Sequence, residues 1–306
     1  MSTLIFGHKS PDTDSTGSPI VWSWYLNEVK GMAAEPRLLG EPNTEAAFVL
    51  KRWGFEQPEL LDDIETDADC VIVDTNNPAE LPANINNANV TAIIDHHKLV
   101  GGLETRGPID ITVRPLACTA TIMIDLMGED AARMPDPIKG AALSCILSDT
   151  LAFRSPTTTD HDIAVSRRLA DDLGVDIAAY SDEMFAAKSD VSRFSDAELL
   201  RMDSKEYSVA GTAFRVSVLE TTSPDTVLAR KASLMQSMAA VAAEDGADQV
   251  LLFVIDILKE EATLLVPNDT VKAVAEKSFN ARVAGDTVVL PGIMSRKKQI
   301  IPSLSV

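Results

Sequence analysis

Short apolar runs alternate with polar turns and longer helix-like segments over about the first 150 residues of the chain. Three of the runs, at residues 4–6, 70–73 and 91–94, are short and rich in β-branched side chains, which is typical of buried strands. The segments 20–30 and 44–53 lie between such runs and have a helical composition. Strand–helix alternation of this kind predicts a parallel sheet with helices on both faces.

Glycine, proline and polar residues mark the ends of several predicted elements. Gly31 and Gly54 follow the two helical segments at the position where glycine commonly ends a helix. Two further helices are predicted at 119–126 and 137–147, the second opening with proline. The polar stretch 154–160 is typical of a loop that ends in a helix N-cap, and the helical pattern then continues to about residue 187.

The pattern changes after residue 187, and this change predicts a second domain. Residues 188–192 are small and polar, as in a linker. The following elements are predicted beyond them: two strands within 207–219 that meet at Gly211, a helix at 224–243, and strands at 249–258 and 286–290. The expected architecture is an α/β protein with an N-terminal parallel-sheet domain at 1–187, a linker or hinge at 188–194, and a smaller C-terminal α/β domain with a mixed sheet at 195–306.

The length and charge of the chain narrow the possible functions. At 306 residues it is long enough for two domains, and its mixture of apolar and charged residues is that of a globular protein. A formal net charge of −19 argues against broad binding to nucleic acid or to anionic membranes. No run approaches the roughly 18 apolar residues of a membrane helix. An anionic substrate remains compatible with this charge, because local cations or bound metals can reverse the field inside one cleft.

Cysteine usage and the opening residues predict a cytoplasmic protein. Cys70, Cys118 and Cys145 each lie among apolar or small residues and lack CxxC spacing. Buried free thiols are the natural interpretation, and they suit a reducing compartment. The first residues also lack the basic start and long apolar stretch of a secretory signal.

The chain has only four histidines, and three of them follow predicted strands beside aspartates. Polar clusters follow four apolar runs: His8 with Asp12 and Asp14, then Asp74, then Asp95 with His96 and His97, and finally Asp149. In an open parallel sheet, ligands bind beyond the carboxyl ends of the strands. We therefore expect the four clusters to meet at one edge of the first domain's sheet.

The chemistry of these clusters favours a pair of divalent metal ions. Mixed imidazole and carboxylate ligands suit Mn, Fe, Co or Zn better than an all-oxygen magnesium cage or a thiolate site. About six ligands exceed what one ion needs, whereas two ions about 3.5–4 Å apart and bridged by a carboxylate would use them all. Taken singly, Asp74 or Asp149 would be interpreted as a turn or N-cap residue. His161, in a threonine-rich loop, is assigned to a helix N-terminus or the surface.

Cations near the C-terminus form the other candidate group. Arg296, Lys297 and Lys298 are the densest cation cluster in an acidic chain, and both residue types bind phosphate oxygens. Without context such a run would be a solvated turn. Lys205, alone among acids, would be an ordinary surface residue. The position of the run after a glycine turn, in a second domain that faces a metal site, favours phosphate binding.

The complete set of motifs resembles the manganese-dependent, or family II, inorganic pyrophosphatases of the DHH phosphoesterase superfamily. The sequences GHKSPDTDS and DHH mark the superfamily, and SRKKQ near the C-terminus marks the pyrophosphatase branch. The loop Ser155-Pro156-Thr157 is also similar to that branch. The resemblance spans residues 5–299, with the motifs in the same order.

The resemblance implies a role for each matching residue. His8 and Asp12 would hold one metal, Asp74 would bridge to the second, and Asp14, His96 and Asp149 would complete the ligands of the second. His97 would contact phosphate, as a donor or acid at the leaving side, and Asp95 would orient a ligand histidine. Lys205, Arg296 and Lys297 would neutralise the phosphates. The family implies two Mn²⁺ or Co²⁺ per subunit, Mg²⁺ that accompanies the substrate, and a homodimer formed through an edge strand of the first domain.

Two positions depart from the family pattern. Ser10 stands where members commonly carry Asn, and Thr75 stands where they carry His directly after the bridging aspartate. Both positions neighbour the expected metals without being expected ligands. They therefore bear on metal preference and turnover, and they leave the reaction class intact.

The implied function is hydrolysis of pyrophosphate to two phosphates by a two-metal-activated hydroxide. Residues 1–187 would form the metal-binding catalytic domain and 195–306 the substrate-binding domain, with the active site between them. One alternative is a DHH phosphoesterase that cuts short oligonucleotides or products of cyclic dinucleotides. Such relatives typically end in a glycine-rich nucleic-acid-binding domain, and no glycine run occurs here. Another is a non-catalytic metal- or nucleotide-sensing module, which would usually appear as an insertion.

Overall fold

The computed structural model describes residues 2–305 as two compact units, one ending at Ala187 and the other beginning at Lys188. Each unit has its own five-stranded sheet. The first sheet is parallel and the second is mixed, so the predicted α/β class is confirmed. Within the described residues, no helix is both long enough and apolar enough to cross a lipid bilayer.

The strands of the first unit all run in the same direction. They are β1 (Thr3–Phe6), β2 (Ala34–Pro36), β3 (Asp69–Val73), β4 (Asn89–Asp95) and β5 (Asp110–Val113), in the spatial order β2-β1-β3-β4-β5. The three central strands match the three predicted apolar runs. Sequence patterning misses the edge strands β2 and β5 because both are short and neither is a buried apolar run.

Alternate residues of the central strands enter two separate hydrophobic clusters, as the two-residue period of a strand requires. Ile5, Val71 and Ile94 pack with the α-helices on one face of the sheet. Phe6 and Ile72 pack on the other face, where loops and short 3₁₀ helices supply the cover. The two faces are thus covered unequally, with the long helices gathered on the face that supports the candidate site.

The helices of the first unit carry or support the candidate site residues. They are α1 (Thr13–Glu28), α2 (Thr44–Trp53), α3 (Thr119–Met127), α4 (Asp136–Asp149), α5 (Asp160–Leu173) and α6 (Ile177–Lys188). α1 follows β1 through a tight turn, since a Cβ on Gly7 would collide with the side chain of Ser15. α1 also packs closely on α4, since a Cβ on Gly17 would collide with the sulfur of Cys145. Glycine at these positions lets the start of α1 approach both the sheet and α4.

Several predicted helix ends and the predicted state of the thiols are confirmed. Gly54 ends α2 in the left-handed conformation, and Thr159 begins α5 with a reciprocal capping box to Asp162. Gly31 also has a positive φ, although α1 ends slightly earlier, with Val29 as its C-cap. The free, buried thiols are those of Cys70, Cys118 and Cys145.

The second unit is built on a sheet with the order β10-β9-β8-β7-β6, in which β7 and β8 pair in parallel and the other neighbours pair antiparallel. Its strands are β6 (Ser204–Val209), β7 (Thr212–Thr221), β8 (Gln249–Asp256), β9 (Glu261–Leu265) and β10 (Thr287–Pro291). Its helices are α7 (Asp196–Met202), α8 (Pro224–Leu228), α9 (Lys231–Glu244), α10 (Asp269–Phe279) and α11 (Ile301–Ser303), the last preceded by a π-helical turn at Arg296–Ile300.

The prediction of one continuous helix over 224–243 was wrong. The helix is interrupted between α8 and α9, where the guanidinium group of Arg230 donates hydrogen bonds to the carbonyl oxygens of Val191 and Phe194. Arg230 also pairs with Asp196. These contacts join the residue between the two helices to the segment before α7 and to the first residue of α7. No local pattern in the sequence reveals such long-range contacts.

Candidate metal centre

Three of the four predicted polar clusters come together because their strands are neighbours in the parallel sheet. β1, β3 and β4 lie side by side and point the same way, so the residues that follow them share one edge. His8 follows β1, Asp74 follows β3, and His96 and His97 follow β4, whose last residue is Asp95. The expected convergence at this edge of the sheet is present.

The fourth cluster reaches the same place by another route. Asp149 is the last residue of α4, which agrees with the helix predicted at 137–147. The expectation that all four clusters lie beyond strand ends therefore does not hold for Asp149. Asp12 and Asp14 also lie at a helix end, because Asp12 is the N-cap of α1 and Asp14 is in its first turn.

Asp74 is the centre of the cluster. Its side chain is almost fully buried, and its two carboxylate oxygens face different histidines. Oδ2 lies 3.5 Å from Nε2 of His8, and Oδ1 lies 3.3 Å from Nε2 of His96. The hydroxyl of Ser15 donates to Oδ2 at 2.6 Å and so holds the carboxylate in this orientation.

Two groups of potential ligands account for all six metal ligands that the sequence indicates. Within each group the candidate atoms lie within 4.8 Å of one another: His8, Asp12 and Asp74 in the first, and Asp14, His96 and Asp149 in the second. A third group, formed by Asp74, His96 and His97, links them through shared residues. The structure therefore brings the six side chains together in an arrangement that can hold two ions.

One carboxylate oxygen of this cluster lacks a protein partner. Within the described residues, Oδ2 of Asp149 is buried and has no hydrogen-bond donor. A buried carboxylate oxygen in this state is costly, and a cation would satisfy it. The donor set of nitrogen and oxygen atoms is also one that suits Mn²⁺, Co²⁺ or related ions. The residues thus fit a divalent metal site.

The two histidines in these groups are oriented for ligation through Nε2. Nδ1 of His8 lies 2.7 Å from the carbonyl oxygen of Lys9, and Nδ1 of His96 lies 3.2 Å from that of Leu116. A carbonyl oxygen only accepts, so each Nδ1 carries a proton, and Nε2 is the nitrogen that can bind a metal once a cation displaces its proton. Metal-binding histidines are commonly fixed in this way.

The backbone at the cluster supports the same geometry. Asp74 has a φ of +58°, a left-handed conformation that is uncommon for a residue with a side chain and is often found at functional sites. The strained residue is held by a hydrogen bond from its N–H to the carbonyl oxygen of Ile94. Thr119, at the start of α3, donates its N–H to Asp14 at 2.8 Å.

Burial, and to a smaller extent the crowding of acids, raises the pKa of the buried carboxyl groups. Burial, together with the charge of Asp14, raises the pKa of Asp74 from 3.8 to about 7 and raises that of Asp149 well above its usual value. Burial alone would lower the pKa of His8 and His96, but neighbouring carboxylates outweigh it and raise each from 6.5 to about 9. The metal-free cluster therefore retains protons that a bound cation would displace.

His97 is held differently from the other histidines. Its side chain is half exposed, and its Nδ1 lies 3.0 Å from the carboxylate of Asp95, which is fully buried. Asn76 donates to the other oxygen of Asp95 and accepts from the N–H of Val100. Hydrogen bonding to Asp95 raises the pKa of His97. His97 is thus held in one orientation beside the cluster by Asp95.

His97 also lines a cavity of about 380 Å³ in the first unit. Its wall includes His8, the lysines Lys9 and Lys98, and Thr75. The two departures from the family pattern are close to this cavity and outside the ligand groups. Thr75 is buried, with its hydroxyl donating to Glu80 at 2.7 Å, and Ser10 is exposed with a φ of +57°.

The predicted phosphate-binding cations are gathered in the second unit. Lys205 on β6 lines a cavity of about 490 Å³ together with Arg296 and Lys297. Arg296 donates to the carboxylate and to the carbonyl oxygen of Asp203, each at 2.7 Å. Within the described part of the chain, no carboxylate pairs with Lys205 or Lys297. Lys205 and Lys297 are thus accessible cations in the wall of this cavity.

The turn that carries Arg296 and Lys297 is built locally. Oε1 of Gln299 accepts hydrogen bonds from the N–H groups of Met294 and Ser295, and the hydroxyl of Ser295 caps the π-helical turn. The SRKKQ motif therefore encodes both the cations and the turn that presents them.

His161 lies outside both groups. It is the second residue of α5, about half exposed, and its Nε2 is 2.8 Å from Asp125. Its assignment to a helix N-terminus at the surface is confirmed.

Sequence reasoning missed several residues that support the cluster, and the signals for them differ in strength. Ser15 lies inside the PDTDS motif and could have been found there. Thr119 and Asn76 have no such signal, because their role depends on which strands and helices become neighbours.

Comparison with known proteins identifies the family of the chain. Residues 2–149 match the model of the DHH family N-terminal domain, and residues 182–306 match that of the DHHA2 domain. The molecule is thus a DHH protein with a C-terminal DHHA2 domain.

Similar chains extend this assignment. A Lactobacillus johnsonii protein assigned as a manganese-dependent inorganic pyrophosphatase is 35% identical over 304 residues, which is 99% of this chain and 97% of the relative. A Bacillus licheniformis protein with the same assignment is 36% identical over 303 residues, with the same coverage. A Methanococcus jannaschii crystal structure, assigned to the family II inorganic pyrophosphatases, has a TM-score of 0.61 and 33% identity, and covers 99% of this chain and 98% of its own. This chain belongs to the manganese-dependent, or family II, inorganic pyrophosphatases, as its motifs predicted.

Proposed function

We propose that the protein hydrolyses inorganic pyrophosphate to two phosphates at a site that holds two divalent metal ions, Mn²⁺ or Co²⁺. The observation that carries the proposal is the gathering of six ligand side chains into two groups around Asp74. Relatives over essentially the full length are assigned as manganese-dependent inorganic pyrophosphatases. The chemistry of the site and the relatives thus support the same activity.

The proposed ligands divide between the two ions. His8 and Asp12 would hold one ion, and Asp14, His96 and Asp149 would hold the other. Asp74 would serve both ions, which is supported by its two oxygens facing His8 and His96 separately. The unpartnered oxygen of Asp149 supports its assignment as a ligand. When bound, two such ions would supply the Lewis acidity that generates a nucleophile near neutral pH and offsets charge on phosphate oxygens.

His97 donates a hydrogen bond or a proton to the leaving phosphate. The proposal is supported by its exposed position beside the cluster and by Asp95, which stabilises its protonated form. A protonated imidazole can offset charge that develops on a leaving oxygen. Asp95 and Asn76 keep the ring in one orientation while it acts.

Lys205, Arg296 and Lys297 bind the phosphate oxygens of the substrate, which enters with Mg²⁺. Both units thus contribute to substrate binding, with residues 1–187 as the catalytic part and 195–306 as the substrate-binding part. Residues 188–194 would act as the hinge. A homodimer in the cytoplasm is expected from the family resemblance, and sedimentation of a monomer would remove the dimer from this proposal.

Phosphate release from pyrophosphate tests the function directly. The protein is stripped of metals and then supplied separately with Mn²⁺, Co²⁺, Mg²⁺ or Zn²⁺. We expect the fastest release with Mn²⁺ or Co²⁺, and much slower cleavage of a dinucleotide assayed in parallel. Faster cleavage of the dinucleotide would assign the protein to the phosphoesterase activity of the superfamily, and ion binding without phosphate release would favour a sensing role.

A further inference from the structure

Glu45 is a buried carboxylate outside the six proposed ligands. It lies in the first turn of α2, with no exposed surface. Its Oε2 accepts a hydrogen bond from the hydroxyl of Thr13 at 3.0 Å and another from the hydroxyl of Ser148 at 2.7 Å. One oxygen therefore joins α2 to the start of α1 and to the end of α4.

The two hydroxyl donors lie within the segments that carry metal ligands. Thr13 is between Asp12 and Asp14, and Ser148 directly precedes Asp149. Three of the six proposed ligands are therefore on chain segments that Glu45 connects. The other three follow strands of the sheet, where neighbouring backbone hydrogen bonds already fix their spacing.

Packing alone does not require a carboxylate at this position. Burying a carboxylate is unfavourable unless donors satisfy it, and an apolar side chain of similar size would fill the same space more favourably. The N-terminal end of α2 offsets part of this penalty, because the helix dipole favours an acidic residue in the first turn. The remaining cost of burying the carboxylate favours a role for Glu45 in linking α1 to α4.

We propose that Glu45 is a positioning residue of the metal centre: through Thr13 and Ser148 it fixes the spacing between Asp12 and Asp14 at the start of α1 and Asp149 at the end of α4. This inference rests on the proposed two-metal site. Residues that hold metal ligands in this indirect way commonly change metal affinity by 10- to 100-fold when they are replaced.

Two substitutions at Glu45 separate its hydrogen bonds from its volume. Glu45→Met keeps a side chain of similar length and removes the acceptor, and we expect it to weaken Mn²⁺ binding to the metal-stripped full chain about 10- to 100-fold. Glu45→Gln keeps a carbonyl oxygen that accepts from both hydroxyls, and it should restore most of that loss. Calorimetric titration with Mn²⁺ measures the affinity, and visible absorption of the Co²⁺-loaded protein reports the ligand geometry, which Glu45→Met should alter.

Ser144 provides a matched control on the same helix. It is buried one turn before Ser148, and its hydroxyl contacts Tyr180 at 2.6 Å and the carbonyl oxygen of Gly140. Ser144→Ala removes a comparable hydroxyl without touching a ligand segment. It should lower the unfolding temperature and leave both Mn²⁺ affinity and the Co²⁺ spectrum unchanged, whereas Ser148→Ala should weaken Mn²⁺ binding several-fold.

Wild-type Mn²⁺ affinity and an unchanged Co²⁺ spectrum in Glu45→Met would overturn the inference and leave Glu45 a purely structural residue. If Glu45→Met does not fold, Mn²⁺ affinity is compared between the milder variant Ser148→Ala and the control Ser144→Ala. Equal Mn²⁺ affinity in these two variants would also overturn the inference. Failure of the wild-type chain itself to bind two Mn²⁺ would instead overturn the proposed function, so the two failures are distinguishable.

Discussion

The two units of this molecule carry candidate site residues of opposite charge, and the sequence brings those residues together in different ways. In the first unit, carboxylates and histidines that are up to about 140 residues apart in the sequence meet because parallel strands and helix ends converge. In the second unit, two of the three key cations are neighbours in one short motif that builds its own turn. A parallel sheet thus assembles a site from distant residues, whereas the mixed sheet presents a site that is largely local.

The two units also differ in local charge within an acidic chain. The net charge of −19 includes the buried acids of the metal cluster, which cations would neutralise. The second unit leaves Lys205 and Lys297 without a carboxylate partner among its described residues. Under the proposed function, the first unit would bind metal cations and the second would bind the anionic substrate.

The largest effect is expected from Asp74→Ala in the first unit. Removing the carboxylate that faces both His8 and His96 should lower the rate of phosphate release at least about 1,000-fold and weaken Mn²⁺ binding, because several kcal/mol of charge stabilisation depend on the metal pair. Activity assays and Mn²⁺ titration check this. The matched control is Asp125→Ala, an aspartate at the surface beside His161, which should keep wild-type activity. Full activity in Asp74→Ala would end the bridging assignment.

A substitution in the second unit should change substrate binding and leave the metals in place. Arg296→Lys keeps the charge but loses the planar fork, so we expect KM for pyrophosphate to rise about 10- to 100-fold with little change in Mn²⁺ affinity. Arg201→Lys, which changes an arginine that pairs with Asp245 in the same unit, serves as the control. Loss of Mn²⁺ binding in Arg296→Lys would contradict the proposal that the first unit binds the metals and the second binds the substrate.

The pH dependence of stability should differ with and without metal. In the metal-free protein, the raised pKa values of His8 and His96, about 9, stabilise the fold below pH 6.5, and this stabilisation is lost as pH rises towards 9. The pKa of Asp74 is about 7 in the folded protein and 3.8 in the unfolded chain. Asp74 therefore also lowers the stability of the fold as pH rises from 3.8 to about 7. The unfolding temperature in chelator should therefore fall between pH 6 and pH 9.

Addition of Mn²⁺ should reverse this trend, because binding displaces the retained protons and strengthens as pH rises. Thermal unfolding across the same pH range, with chelator and with Mn²⁺, checks both signs. A metal-free protein that grows more stable towards pH 9 would contradict the assigned charges of the cluster.

The smallest effect is expected at the β6–β7 turn of the second unit. Ala210 and Gly211 both have positive φ and form a two-residue hairpin loop, where Asn-Gly is the favoured pair. Ala210→Asn should stabilise this unit by up to about 1 kcal/mol, because alanine is strained in the left-handed conformation. Chemical unfolding measures the gain, and Mn²⁺ affinity should not change. A loss of stability would show that the turn is held by other contacts.

The sequence predicted the parts of the molecule that depend on local pattern. The central strands, the second α/β domain, and the clusters at His8, Asp74 and His96 follow from apolar periodicity and from the scarcity of histidine in the chain. The fold class is confirmed, and the roles of the site residues stay predictions.

The remainder depends on tertiary contacts that no local pattern encodes. Asp149 reaches the site from a helix end, and Glu45 acts through hydroxyls on two other helices. At the break between α8 and α9, Arg230 donates hydrogen bonds to a segment 36 to 39 residues earlier in the chain. Short edge strands such as β2 and β5 are not predicted from the sequence, because the apolar pattern of so few residues is weak.

Titration of the metal-stripped protein with Mn²⁺, followed by electron paramagnetic resonance, tests the central claim most directly. Six ligands that share Asp74 should bind two Mn²⁺ per chain, with the exchange-coupled spectrum of neighbouring ions. A single bound ion, or two ions without coupling, would contradict a carboxylate-bridged pair at the edge of the first sheet.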